Sequence, residues 1–323
     1  MTQLYSIYGF CSKQEKNEGW TKESSKLRGI YTTITPICDS ITQLAQQYDE
    51  NAVAISAASS SLNQIEPSFM YTQLFKEIIL EIDFDKEKEI NELAQYAREK
   101  YVCKEKDLKI IDEFAREYRG DLDESNKPIW WYTRQCFTYQ MLNKALRALQ
   151  VETLMKMAIF IRDLHQNIEK LYSQQSNEIF HGTIVQVYRG QFMAKEDFSD
   201  KIKQGGLISF NNFLSTSDDR NVAIRFISKA LPESSSIRVL FDMTVNQVIQ
   251  SAPFAHIDKI SYYKTEKEIL FSMHTVFRIQ HIGEIEESRT KMWQVKLTLT
   301  SENDDKCLHV LTKQMRKEIT GSG

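Results

Sequence analysis

The chain has 323 residues, of which 41% are hydrophobic and 26% charged, values ordinary for a globular protein of one or two domains. Its formal net charge of −3, without a long basic run, argues against nucleic-acid binding by bulk electrostatics. No apolar run reaches the ~20 residues of a membrane span, and the N-terminus lacks a secretory signal pattern. We therefore expect a cytoplasmic protein without membrane association.

The number and spacing of cysteine, histidine and glycine residues limit which kinds of binding site the chain is expected to contain. The five cysteines are scattered, odd in number and without a CxxC pair, which favours free thiols in a reducing compartment. The six histidines show no metal-binding spacing, so no metal site is expected. Neither GxGxxG nor GxxxxGK[ST] occurs, so any nucleotide must be held by another kind of site.

Residues 1–50 contain two short β-like runs, 4–10 and 29–37, separated by a polar, lysine-rich stretch. Neither run can bury much apolar surface alone. We expect residues 1–50 to form an N-terminal segment that is the remnant of a larger domain.

Residues 51–178 are predicted to form a helical lobe. From residue 68 to 176, apolar residues recur at helical spacing, with lysine and glutamate on the opposite faces, which indicates about five helices. One of these is expected to begin at Pro128 and to carry Trp130 through Leu146. Its aromatic residues are interpreted as core rather than as a cofactor site.

The character changes after Asn177, and residues 179–300 are predicted to form a mainly antiparallel, two-sheet β core with short helices. Within it, 207–216 reads as one strand and 283–291 as a polar hairpin loop. Residues 301–323 are expected to form a C-terminal helix and linker. The predicted fold class is α+β, with the helical lobe packed on the β core and the binding cleft between the sheets.

Three short motifs stand at the ends of predicted strands in this second half. Tyr188-Arg189-Gly190 closes the first strand, where a guanidinium offers a rigid fork of donors for a pyrophosphate and glycine permits close approach of a ligand. A structural salt bridge is the alternative for Arg189. Ser215-Thr216-Ser217 ends the next strand, so Ser215 and Ser217 share one face, and Ser217 is also placed to cap a helix.

The third motif is Glu266-Lys267-Glu268, which leads into the apolar run 269–271. Residues two apart in a strand point to the same face, so both carboxylates are expected side by side, with Lys267 directed away. Alone, such a pair is usually a solvated strand end. Its interest comes from the two motifs before it.

In this order, the three motifs resemble the R-S-ExE signature of the arginine-specific mono-ADP-ribosyltransferase family. The segment from Leu142 to Arg147 is similar to a helix that these enzymes carry before the catalytic core. The resemblance covers about residues 129–300. It implies NAD⁺ as co-substrate, held without a metal in a two-sheet β core.

The resemblance also implies a role for each residue. Arg189 would bind the NAD⁺ phosphates and the Gly190 backbone the nicotinamide amide, while Ser215 would support the ribose and the essential acid, Glu268. Glu266 would receive the arginine of an acceptor protein. Phe226 is a candidate for stacking on nicotinamide, with a core phenylalanine as the equal alternative.

Tyr262 and Tyr263, in the loop before the acidic motif, are expected to contact the protein substrate; solvent-exposed loop aromatics are the competing interpretation. The expected function is transfer of ADP-ribose from NAD⁺ to arginine side chains of a protein, with release of nicotinamide. Two alternatives stay open: an NAD⁺ glycohydrolase, in which water replaces the arginine, and an inactive module that binds NAD⁺ or a partner.

Overall fold

The computed structural model describes residues 54–58, 65–102, 104–118, 127–176, 184–229, 235–246, 252–262, 267–287, 290–300 and 313, and the backbone of 7–10 and 27–31. The first two strands, β1 (Ile7–Phe10) and β2 (Leu27–Tyr31), pair in parallel. Apart from residue 313, the range 301–323, where a helix is predicted, lies outside the described residues.

The helical lobe predicted from the 3.6-residue periodicity is present. It consists of α1 (Pro67–Glu81), α2 (Lys86–Lys100), α3 (Glu105–Glu117), α4 (Lys127–Thr133), α5 (Phe137–Ala148), α6 (Val151–Lys156) and α7 (Ala158–Gln175). The helix expected from Pro128 through Leu146 is in fact two helices, because Gln135 adopts a φ of 54° and interrupts the helical backbone. None of the described helices has the length and apolarity needed to cross a membrane.

The β core follows, with two short helices, α8 (Lys195–Lys201) and α9 (Arg220–Lys229). Its strands are β3 (Ile55–Ala58), β4 (Ile184–Ala194), β5 (Leu207–Phe210), β6 (Leu214–Ser217), β7 (Ser236–Asn246), β8 (Phe254–His256), β9 (Glu268–Phe271), β10 (Thr275–Glu287) and β11 (Thr290–Leu299). Their order across the sheet is β3-β5-β10-β11-β7-β4-β6-β9-β8.

The α+β class is confirmed, but the sheet differs in two details from the prediction. Hydrogen bonding is continuous, so the described strands from β3 onward form one nine-stranded sheet rather than two. The sheet is mixed: β11 and β7 run parallel to each other, whereas every other pair of adjacent strands in this sheet is antiparallel. The join between β4 and β6 consists of a single residue pair, Tyr188 with Ser217, which divides the sheet into a six-strand and a three-strand group.

Three local predictions also differ. The strand expected over 207–216 is two strands, since Asn211 leaves the ladder and its side chain and backbone N–H bond to Ser56 and Ala54 instead. The hairpin loop expected over 283–291 is mostly strand, because β10 and β11 pair as far as Glu287 and Thr290. β3 falls in the range assigned to the helical lobe, yet it pairs with β5 of the sheet.

The lobe and the sheet share one hydrophobic core. The cluster around Trp131, Phe114 and Phe160 of the helices includes Phe213, just before β6, and Leu270 of β9, all buried. A second cluster, around Phe210, Phe241 and Phe277, lies on the opposite side of the strands. β6 and β9 therefore have one face towards the lobe and one towards the inner β core.

Two buried histidines lie where α7 meets the turn between β9 and β10. The Nδ1 atom of His165 is 2.6 Å from the hydroxyl oxygen of Ser272. The ring of His274 packs edge-on against Phe69 at 4.8 Å, and its nitrogens have no hydrogen-bond partner among the described residues. Burial lowers the pKa of both imidazoles to about 3, and the positive charge of Lys76 acts in the same direction.

We expect acid to destabilise the protein through these two side chains. In the unfolded chain each imidazole has a pKa of about 6.5, so between about pH 6.5 and 3 the unfolded state binds more protons than the native state. Stability falls as pH falls through that window, by roughly 2.7 kcal/mol per pH unit for both together. Urea unfolding at pH 7 and pH 5 measures the difference.

The His274→Asn variant is the control, because asparagine tolerates the positive φ of 53° and does not titrate in this range. It should reduce the pH slope by about half, roughly 1.4 kcal/mol per pH unit. An unchanged slope would show that His274 is protonated equally in the native and unfolded states.

Candidate active site

A cleft of about 550 Å³ opens between α4, α5, α9 and the strands β4, β6 and β9. Its volume is within the range of small-molecule sites. Its wall includes five of the residues that the sequence singled out: Arg189, Gly190, Ser215, Phe226 and Glu268. The structure therefore brings together residues from three strands and a helix that are up to 79 positions apart in the chain.

The strand register sets the positions of the serines and the acid. Ser217 is directly opposite Glu268 in the antiparallel β6–β9 ladder, and Ser215 is opposite Leu270. Paired residues point to the same face, so Ser215, Ser217 and Glu268 share the face towards the lobe, as the alternation predicted for the serines. Thr216 is on the opposite face and donates its hydroxyl to the Ile269 carbonyl at 2.9 Å.

Arg189 is fixed across the join between the two strand groups. Its Nη1 donates to the backbone carbonyl of Ser215 at 2.7 Å, and its Nε donates to Oε1 of Gln191 at 3.3 Å. Burial lowers the pKa of the guanidinium, and Glu268 is among the groups that oppose this shift. Among the described residues, the direct partners of the Arg189 guanidinium are a carbonyl and an amide. The structural salt bridge considered from the sequence is therefore not the main contact of Arg189. The cleft is thus lined by both a cation, Arg189, and a carboxylate, Glu268.

The sequence suggested that Gly190 permits close approach of a ligand, but the space beside its Cα is occupied by α9. A Cβ at this position would lie 2.3 Å from the carbonyl oxygen of Ala223 and 2.9 Å from Cγ2 of Ile227. Glycine is thus required for α9 to pack on β4. This packing places α9 and its side chains along the cleft.

Replacing Gly190 with alanine should therefore reduce the free energy of unfolding by about 1–3 kcal/mol, the usual cost of overpacking. Urea unfolding measures the change. Gly283→Ala is the matched control, since a Cβ there would meet the Nε2 atom of the His281 side chain at 3.1 Å, which can move away. The control should change stability by less than about 0.5 kcal/mol, and equal losses in both variants would contradict the packing argument.

Phe226 is on the outer part of α9 and is 44% exposed. It lines the cleft together with Arg225 and Val222 of the same helix. The core alternative for this phenylalanine is therefore wrong. Ser217 does not take the capping role considered from the sequence, because its hydroxyl accepts the N–H of Asp219 at 3.1 Å, just before α9. Asp219 caps the helix instead, with its Oδ1 accepting the N–H of Asn221 at 2.9 Å.

Two tyrosines of the lobe also line the cleft, although the sequence pattern placed them only in the core. Tyr132 is 3% exposed and its hydroxyl donates to the Phe213 carbonyl at 3.2 Å, just before β6. Tyr139 packs against it with ring centroids 5.2 Å apart. Burial, followed by the effect of Tyr139, raises the pKa of Tyr132 well above its usual value, so it stays a neutral donor.

Asn143 connects the same parts of the molecule. Its Oδ1 accepts from the side-chain nitrogen of Asn212 at 2.7 Å and from the Tyr132 hydroxyl at 3.3 Å. Asn143 belongs to the helix segment that the sequence had singled out, but its partner could not be inferred. The bond joins α5 to the segment between β5 and β6, and so positions Ser215.

The loop before the acidic motif is anchored to the lobe. The backbone N–H of Tyr262 donates to Oγ1 of Thr133 at 2.8 Å, and the Tyr262 ring contacts Trp130 with centroids 5.3 Å apart. Tyr262 is 41% exposed, and its neighbour Ser261 lines the cleft. Tyr263 and Glu266 lie outside the described residues. No group of His, Cys, Asp and Glu within the described ranges could hold a metal ion.

Comparison with known proteins identifies the class to which this fold and cleft correspond. A family model described as ADP-ribosyltransferase exoenzyme matches residues 85–302, more than half of the chain. The chain belongs to the ADP-ribosyltransferase exoenzyme family. It is accordingly a mono-ADP-ribosyltransferase with NAD⁺ as substrate.

Solved structures of ADP-ribosyltransferase toxins are similar at low identity. Plx2a from Paenibacillus larvae is 21% identical, with 55% of this chain and 87% of that chain covered and a TM-score of 0.41. Vis toxin from Vibrio splendidus is 19% identical (69% and 90% covered, TM-score 0.38). HopU1 of Pseudomonas syringae pv. Tomato DC3000 is 16% identical (68% and 100% covered, TM-score 0.42). A search of curated proteins finds no match.

Proposed function

We propose that this protein transfers ADP-ribose from NAD⁺ to arginine side chains of a protein and releases nicotinamide. The observation that carries the proposal is that Arg189, Ser215 and Glu268 line one cleft, although they come from three different strands. The choice of arginine as acceptor rests on Glu266, two residues before Glu268 in the sequence.

On the NAD⁺ side, Arg189 is the group for the pyrophosphate. A guanidinium carries five N–H donors. In Arg189, one on Nη1 bonds to the Ser215 carbonyl and the one on Nε bonds to Gln191. A guanidinium held in this way is oriented before the ligand arrives, which lowers the entropic cost of binding. Phe226, exposed on α9 at the cleft, is the ring that stacks on nicotinamide.

The bond that breaks joins C1′ of the ribose to the nicotinamide nitrogen. Its electron pair leaves with nicotinamide, so positive charge develops on the ribose, as in glycoside hydrolysis. Glu268, on the cleft-facing side of β9, stabilises that charge more strongly in the transition state than in the ground state. Ser215, on the same face, supports the ribose and the carboxylate.

On the acceptor side, a guanidinium nitrogen forms the new bond to C1′ and must lose a proton. Glu266 orients the incoming guanidinium and accepts this proton, because arginine enters the site protonated. Tyr262 and Tyr263 contact the acceptor protein. The exposure of Tyr262 beside the cleft residue Ser261 supports this assignment.

Incubation with NAD⁺ labelled in the adenylate part, agmatine as a small guanidine and a cell lysate tests the proposal. Label on agmatine and on protein arginine is the expected result. Free ADP-ribose alone would favour the glycohydrolase, and the absence of both products would favour a non-catalytic NAD⁺-binding module.

A further inference from the structure

Gln135 occupies the turn between α4 and α5 in a backbone conformation that is costly for its residue type. Its φ is 54°, and the only other described non-glycine residues with positive φ are Leu149 and His274. Glycine or asparagine adopts this region with less strain than glutamine. The Gln135 side chain is exposed and lines the cleft. Strain of this kind, at a site wall, indicates a side chain presented for a function.

The neighbours of Gln135 impose this conformation. Arg134 forms a two-pronged ion pair with Glu113, at 2.8 and 2.9 Å, and its guanidinium lies 5.1 Å from the rings of both Trp130 and Trp131. On the other side, Cys136 is buried at 6% exposure. With both flanking side chains fixed in the lobe, the turn is rigid, and Gln135 is directed away from the packing.

The turn lies on the acceptor side of the cleft. Thr133, two residues before Gln135, accepts the backbone N–H of Tyr262 at 2.8 Å. The guanidinium of Arg134 is also 5.7 Å from the Tyr262 ring. Gln135 therefore lines the same cleft as Ser261, which precedes Tyr262, and as Glu268, beside which the incoming guanidinium is proposed to bind.

We infer that Gln135 is a specificity residue whose carboxamide oxygen accepts a hydrogen bond from the guanidinium of the arginine acceptor. This inference rests on the proposed function. A carboxamide suits the task because its oxygen is a neutral acceptor for the cation, and it adds no further negative charge to a site where the proposed mechanism already has the carboxylates of Glu266 and Glu268. The turn fixes the backbone from which the exposed Gln135 side chain extends at the cleft wall.

The test compares Gln135→Gly and Gln135→Asn with the unaltered protein, using agmatine transfer and NAD⁺ hydrolysis as separate reactions. Gln135→Gly relieves the strain and removes the carboxamide, so kcat/KM for agmatine should fall about tenfold or more, as for loss of a hydrogen bond to a charged group. The KM for NAD⁺ in hydrolysis should change less than about twofold, since the lost contact is to the acceptor. Gln135→Asn, which keeps a carboxamide and tolerates positive φ, should retain more transfer than Gln135→Gly.

Leu149→Gly is the matched control, because Leu149 ends α5 with a φ of 47° and is not among the cleft residues. It should leave both reactions unchanged. Unchanged agmatine transfer in Gln135→Gly, or an equal loss of transfer and hydrolysis, would overturn the inference. Failure of the unaltered protein to modify any guanidine would instead refute the proposed function, so the two failures are distinguishable.

Discussion

Replacing Glu268 with glutamine should reduce both ADP-ribose transfer and NAD⁺ hydrolysis by on the order of 10²- to 10³-fold or more, the usual loss when one group that stabilises transition-state charge is removed. Both reactions break the same ribose–nicotinamide bond and pass through the same positive ribose. Glutamine keeps the size of the side chain but removes its negative charge. Nicotinamide release from NAD⁺, measured with and without agmatine, follows both reactions.

Glu284→Gln is a suitable control, because Glu284 is exposed on β10 and lies away from the cleft. It should leave both rates unchanged. Thermal unfolding of Glu268→Gln should show that the fold persists, since Glu268 is at the start of β9 and only partly buried. A variant that kept its hydrolysis rate would refute the role of Glu268 in stabilising the ribose cation.

Replacing Glu266 with glutamine should separate the two reactions. Transfer to agmatine should fall by roughly 10²-fold or more, in the range of general acid–base contributions, because the guanidinium then has no carboxylate to accept its proton. Hydrolysis should fall much less, since water needs no such partner to reach the ribose cation. The ratio of ADP-ribosyl-agmatine to free ADP-ribose measures the separation directly.

Glu266→Asp is the companion variant, since it keeps the carboxylate on a side chain that is one methylene shorter. It should recover part of the transfer that glutamine loses. Equal loss of transfer and hydrolysis in Glu266→Gln would contradict the acceptor role and would mean that Glu266 supports Glu268 instead.

The sequence singles out Arg189, Ser215 and Glu268, because each has a local signal. Each stands at the end of an alternating or apolar run, where period-two alternation also predicts which side chains share a face. The structure places these residues along one cleft. Their nearness depends on strand pairing between distant segments, and for this the sequence offered only the resemblance to a family.

The features that the sequence did not predict are those decided by distant contacts. Asn211 and Asn212 interrupt what reads as one strand because their amides bond to Ser56 and Asn143, which are 155 and 69 residues away. Tyr132 has the pattern of a core aromatic, and it is one, but its edge also reaches the cleft. Hydrophobic periodicity indicates which side chains are buried, but it does not indicate which of them border a cavity.

At Gly190 the structure gives a reason for glycine that differs from the one argued from the sequence. The sequence argument invoked the approach of a ligand, whereas the close contact in the structure is with Ala223 of α9. No local pattern at 188–190 could reveal that contact, because α9 begins thirty residues later.

The single residue pair that joins β4 to β6 has a consequence for how the enzyme could be divided or truncated. One backbone pair contributes little mechanical stiffness, so the spacing between Arg189 and Glu268 is set mostly by the supports around that pair. These supports are the Arg189 bond to the Ser215 carbonyl and the lobe contacts made by Tyr132 and Asn143. The helical lobe is therefore a brace for the reaction centre, and a fragment limited to the strands would lose the alignment of its two halves.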